Sequence, residues 1–174
     1  MAAVRQIPSL PSVSRLEAQL AGPVLSLLRT VAGFLFACHG AQTLFGVLGG
    51  VPGFPDGFPV GSWPMWWAAV IELVGGGLVM LGLFTRPAAL LCSGAMAYAY
   101  FTVHLPMGLW PLQNLGEMAA MNAWVFLAIA VLGPGPWSLD ALVWRQGLSG
   151  RRAPASAGAA GGRGASASAD HAGS

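Results

Sequence analysis

Residues 65–84 read MWWAAVIELVGGGLVMLGLF, twenty residues with one formal charge, Glu72. An uninterrupted apolar stretch of about 18 residues or more reads as a membrane span rather than a core helix. Thr85-Arg86-Pro87 follows at once, too short a turn for anything but an antiparallel hairpin, and Pro87 suits the first turn of a helix. A third apolar run therefore occupies 87–104. Toward the N-terminus a first run covers 27–48 and carries FLFACHGAQTLFG. Gly49-Gly50 then leads into the Pro- and Phe-rich loop VPGFPDGFPVGSWP. Beyond LPMGLWPLQN a fourth run covers 115–132, stopped by Gly133-Pro134-Gly135-Pro136.

Composition agrees with that pattern. Of 174 residues, 55% are hydrophobic and 8% charged, against about 25% charged in soluble domains. A water-exposed surface cannot be built from so few charges. The expectation is an all-α integral membrane protein: a four-helix transmembrane bundle over 23–145. A flexible cytoplasmic arm, 1–22, precedes it, and a disordered Gly/Ala/Ser-rich tail, 146–174, follows. Ser138 can cap a short interfacial helix, SLDALVW, with Trp137 and Trp144 nearby. The first 22 residues contain no apolar core of a cleavable signal, so the first span is expected to direct insertion.

Orientation follows from the arginines, since the chain has no lysine. Arg5, Arg15 and Arg29 precede or open span one, Arg86 sits between spans two and three, and Arg145, Arg151 and Arg152 follow span four. By the positive-inside bias, both termini and the Arg86 turn face the cytoplasm of a bacterial plasma membrane. Trp63, Trp66, Trp67 and Trp110 fall where an outer aromatic belt belongs. A net charge of +2 selects no nucleic-acid partner; the partner implied by composition is lipid.

Polar groups inside the spans are the candidate site, because a charge at mid-span costs about 2.5–3.5 kcal/mol on insertion scales. With span centres near residues 37 and 74, His39 and Glu72 each lie about 3 Å to the outward side, at one depth. They form a candidate proton relay. Gln42 and Thr43 share a helical face with His39. Tyr100, His104, Asn114 and Glu117 extend the pair into a candidate polar binding seam that opens outward. Arg29, Arg86 and Asp140, at the inner surface, read as a structural ion-pair group. The alternative reading of the seam is a set of interhelical hydrogen bonds that only fixes packing. Cys38 and Cys92 are isolated, no metal ligand set is present, and a haem shared by His39 and His104 conflicts with a depth difference of about 9 Å.

The segments HGAQTLFG, WWAAVIELVGGGLVMLGLFTRPAA, HLPMGLWPLQNLGE and GPGPWSLD, in that order, resemble the DoxX family of small bacterial membrane proteins over about 25–143. By position, the family's polar motif residues correspond to His39, Gly40, Glu72, Gly75, Gly76, Arg86, His104, Asn114, Glu117, Ser138 and Asp140. Gln42-Thr43 stands where members often carry Gln-Lys, which weakens any claim for anion binding in span one. The resemblance implies a four-helix membrane subunit. It also implies a link to quinone, in relatives described as partners in thiosulfate oxidation, or to soluble sulfurtransferase and superoxide dismutase in oxidative-stress defence. With no electron carrier of its own, the chain would be a non-autonomous subunit served by soluble cytoplasmic redox proteins. The competing expectations are a non-enzymatic membrane anchor or assembly factor, and a small-molecule or lipid carrier.

Overall fold

A computed structural model describes residues 13–143, which are helical throughout their regular parts, with no strand among them. Four α-helices follow in order: α1, Val13–Phe45; α2, Met65–Leu81; α3, Thr85–Ala99; and α4, Glu117–Leu132. A π-helical turn, Tyr100–His104, and a 3-10 turn, Leu105–Met107, prolong α3 without a break. α1 packs along α2, α2 along α3, and α3 along α4, with a lighter contact between α1 and α4.

α1 starts well before the expected first span. Residues 13–22, assigned from sequence to a flexible arm, continue the helix, and Pro23 lies inside it. At 33 residues it is about 50 Å long. Residues 1–12 and the tail from Trp144 onward lie outside the described residues.

Two helices, Ser14–Phe45 and Thr85–Met107, are long and apolar enough to cross a bilayer. Only 22% and 28% of their apolar windows is buried, so they are not the sequestered core helices of a soluble protein. Met65–Leu81 and Glu117–Leu132 are apolar but shorter. Val31, Phe34, Leu35, Leu90, Leu91 and Trp124 point outward, an apolar surface far beyond the scattered residues of a soluble monomer.

Small residues bring α1 and α2 to backbone contact. A Cβ on Gly40 would lie 2.4 Å from the Leu73 amide nitrogen and 2.6 Å from the Ala69 carbonyl oxygen. One on Gly33 would lie 2.7 Å from the Gly76 oxygen. Where lipid supplies no hydrophobic drive between helices, such close approach and its van der Waals contact hold them together. Phe36 and Phe126, both buried, close the bundle between α1 and α4 with ring centroids 4.6 Å apart.

The loops serve the helix ends. Residues 46–64 fold back onto the C-terminus of α1: Phe58 N–H donates to the Thr43 carbonyl at 3.0 Å, and Gly46 N–H to that of Gln42 at 3.0 Å. Two carbonyls of the last turn are thereby satisfied. Phe54 and Phe58 stack at 4.0 Å. Between α2 and α3, Gly82 adopts the left-handed conformation (φ 71°), and Leu83 N–H reaches back to the Leu78 carbonyl at 3.0 Å, a Schellman-type stop. This turn falls at 82–84, earlier than the Thr85-Arg86-Pro87 position read from sequence, and Thr85 is already helical.

Candidate functional site

His39 of α1 and Glu72 of α2 meet, Nδ1 to Oε2, at 3.0 Å. They form the one ion pair among the described residues if the imidazole is protonated. The contact follows from the glycine packing: Gly40, next to His39, rests on the backbone at Ala69, Glu72 and Leu73. The two partners differ in access. The Glu72 side chain is 9% exposed and that of His39 is 63% exposed. The acid is therefore walled in by helices while the ring lies along the outer surface of the bundle. His39 Nε2 makes no hydrogen bond among the described residues. On the far side of Glu72, one helical turn along α2, Gly75 abuts the buried Cys92 of α3; a Cβ there would lie 2.6 Å from its sulfur.

The rest of the expected seam is divided. Gln42 turns away from His39 and donates through Nε2 to the Gly50 carbonyl at 2.8 Å. It braces the loop, because the end of α1 lies only three residues on. The Thr43 hydroxyl donates to the His39 carbonyl at 3.0 Å. His104 and Asn114 form a second cluster: His104 Nδ1 lies 3.0 Å from the Asn114 carbonyl oxygen. Asn114 Nδ2 donates to the Gly108 carbonyl at 2.7 Å, and its Oδ1 accepts Gly116 N–H at 2.8 Å. That cluster ties the 105–116 loop to the N-terminus of α4. Glu117 is exposed beside Leu115, Met118 and Met121 at a shallow pocket, and Tyr100 is half-buried against the core. Among the described residues no hydrogen bond links this cluster to His39–Glu72, so no continuous seam forms. The helix rotations that separate the two groups are not contained in their matched depths.

At the opposite end, the ion pair expected from Arg29, Arg86 and Asp140 does not form. Arg29, 1% exposed, donates instead to the carbonyls of Val79 and of Met80 (2.7 Å), at the C-terminus of α2, and to that of Trp137 (2.7 Å). Asp140 accepts from Phe84 N–H (2.9 Å), Thr85 N–H (2.9 Å) and the Thr85 hydroxyl (2.8 Å). Each charge therefore caps a neighbouring helix, the cation at a C-terminus and the anion at an N-terminus, where the helix dipole favours it. Burial acts to raise the Asp140 carboxyl. The bonds from Thr85 and Phe84, with the Arg29 cation, outweigh it and hold the group below its ordinary range.

Arg86 is exposed, its guanidinium beside Gly133. Ser138 Oγ accepts Ala141 N–H at 3.1 Å, and residues 139–143 are helical, as the capping signal requires. Sequence reasoning missed Thr85; Ser26, whose Oγ accepts Trp137 N–H at 3.3 Å; and Ser93, whose hydroxyl joins α3 to the Ala123 carbonyl of α4 at 2.8 Å. A lone hydroxyl in an apolar run is the only sign such residues give.

The fold and site define an α-helical membrane protein with a polar pair between two closely packed helices. The model of the DoxX family matches residues 24–105. An uncharacterized protein of Haemophilus influenzae is 37% identical over 119 residues, covering 67% of this chain and 87% of its own. A protein of Bacillus subtilis named putative oxidoreductase CatD is 31% identical over 120 residues, 68% of this chain and 86% of its own. The chain belongs to the DoxX family. No solved structure matches it.

Proposed function

We propose that the protein is a four-span subunit of the bacterial cytoplasmic membrane, with both termini and the Arg86 turn cytoplasmic, and that His39 and Glu72 exchange protons with a quinone arriving laterally from the bilayer. The observation that carries this reading is the asymmetry of the pair: a walled-in carboxylate holding an imidazole whose other edge is accessible. A polar ring nitrogen without a partner is costly against hydrocarbon. A lipid-soluble molecule bearing a carbonyl or hydroxyl oxygen fits it, since Nε2 can donate to or accept from that oxygen.

The residues then divide the work. Glu72 fixes the ring through Nδ1 and stabilises the imidazolium, the second-partner logic of oriented histidines. Nε2–H faces the ligand oxygen and passes its proton there. The ring left behind carries its hydrogen on Nδ1, still bonded to Glu72, and Nε2 accepts the next proton. A quinone reduced to quinol takes up two electrons and two protons. With no electron carrier among these residues, the electrons come from a soluble redox protein at the cytoplasmic face, where Arg86 is exposed. The name of the Bacillus subtilis relative, putative oxidoreductase, supports the reaction class.

The test is binding of a quinone analogue to the purified protein. His39→Ala and Glu72→Gln, with helicity retained, each lower affinity about tenfold or more, the loss of one good polar contact. Unchanged affinity in both variants removes the assignment. A pull-down of soluble redox enzymes that needs the intact chain but neither residue supports the anchor reading instead.

A further inference from the structure

α4 opens with Glu117, Met118 and Met121 on one side of the helix. Met121 stands about 40° from Glu117 and about 60° from Met118 around the axis, at 3.6 residues per turn. The three side chains line one pocket of about 360 Å³, together with Pro111, Leu112 and Leu115 from the preceding loop. None of them belongs to the His39–Glu72 pair. All three are exposed, the two methionines by 65% and 54%, and Glu117 makes no hydrogen bond or ion pair among the described residues. The connecting segments at this end of the bundle, 46–64 and 108–116, contain no Arg or Lys, so they offer the carboxylate no side-chain cation.

The donor types select the ligand. Thioether sulfur is soft and uncharged: it suits Cu(I) and its like, and leaves hard cations, which demand oxygen, to water. Among the described residues no group of three His, Cys, Asp or Glu side chains could hold a metal ion, so the site rests on methionine sulfur. Side chains at i and i+3 have Cβ atoms about 5–6 Å apart, and three rotatable bonds in each methionine let both sulfurs turn to one ion. The carboxylate, one helical turn before Met121, adds an oxygen and the single negative charge that a monovalent ion needs beside the positive end of the α4 dipole. Further along α4 the outward positions carry Trp124, Val131 and Leu132, so sulfur is confined to the first turns, next to the acid. We propose that Glu117, Met118 and Met121 form a binding site for a soft monovalent metal ion of the Cu(I) class. In the orientation proposed above, the site opens on the extracytoplasmic side.

Met→Leu separates a metal ion from any other occupant, because it keeps volume and apolarity and removes only the sulfur. The full chain, carrying Cys38→Ser to remove a competing thiol while Cys92 stays buried, is titrated in mild detergent with Ag(I), a redox-inert ion of the same class. Binding is read by isothermal calorimetry, with helicity as the control. Met118→Leu and Met121→Leu each weaken one equivalent of Ag(I) about tenfold or more, the loss of a ligand. Glu117→Gln weakens it about three- to fivefold, the worth of an exposed charge pair. In methyl-labelled protein Ag(I) shifts the ε-methyl resonances of Met118 and Met121 and leaves that of the buried Met96 in place. Unchanged Ag(I) affinity in the Met118→Leu/Met121→Leu double variant, or a loss confined to Glu117→Gln, overturns the proposal. These variants leave His39 and Glu72 intact, so metal binding and quinone-analogue binding fail separately.

Discussion

Removing His39 tests the pair more sharply than removing Glu72, because the damage lies in what is left behind. In His39→Ala the Glu72 carboxylate, 9% exposed, loses the only hydrogen bond it makes among the described residues. Breaking a buried ion pair by taking one partner costs about 3–5 kcal/mol. Here the histidine is 63% exposed, so solvent or headgroup screening brings the figure down to about 2–3 kcal/mol. Glu72→Gln leaves an amide that can still bond the ring, at a cost of about 1 kcal/mol. In the double variant the amide, being neutral, forfeits far less than a stranded carboxylate. It should therefore be more stable than His39→Ala alone, a non-additivity of about 1–2 kcal/mol. The assay is reversible unfolding in mixed micelles followed by far-ultraviolet circular dichroism. Equal destabilisation in His39→Ala and in the double variant would refute the claim that a buried, partnered charge stands at Glu72.

Three further outcomes follow from the packing. Gly40→Val places atoms against the backbone of Ala69 and Leu73, forces α1 from α2, and lowers stability by about 1–3 kcal/mol, whereas Gly94→Ala, facing open space, leaves the melting temperature unchanged. Asp140→Ala removes the trans cap of α3 and costs about 1 kcal/mol at neutral pH. Because the Asp140 carboxyl lies below its unfolded value, its contribution is complete above about pH 4 and fades as pH falls through the lowered folded value; the melting temperature of Asp140→Ala should accordingly fall less with acid than that of the wild type. Asn114→Ala leaves the Gly108 carbonyl without its partner and takes from Gly116 N–H one of its two acceptors, the Pro111 carbonyl remaining, a loss of about 1–2 kcal/mol, and speeds proteolysis in the 105–116 loop.

The sequence by itself determined the all-helical membrane class and the order of four apolar helices, and it put His39 and Glu72 at one depth, while their contact came from the packing. The first two are written in composition and run length, which need no tertiary information. That shared depth was legible because rise per residue fixes position along a helix. Helix rotation is another matter: one residue turns a side chain by 100°, and only the packed bundle fixes that angle. Gln42 and Asn114 therefore left the supposed seam for loop carbonyls, and Glu117 stayed on the surface. Tertiary structure likewise decided the fate of Arg29 and Asp140. They are close enough in depth to be read as partners, yet each found a helix terminus whose unpaired backbone groups offer several hydrogen bonds where a single ion pair offers fewer. Only the structure set Pro111 and Leu112 in one pocket with Met118 and Met121, because where a loop folds against a helix depends on contacts between the two, and no single stretch of sequence records that.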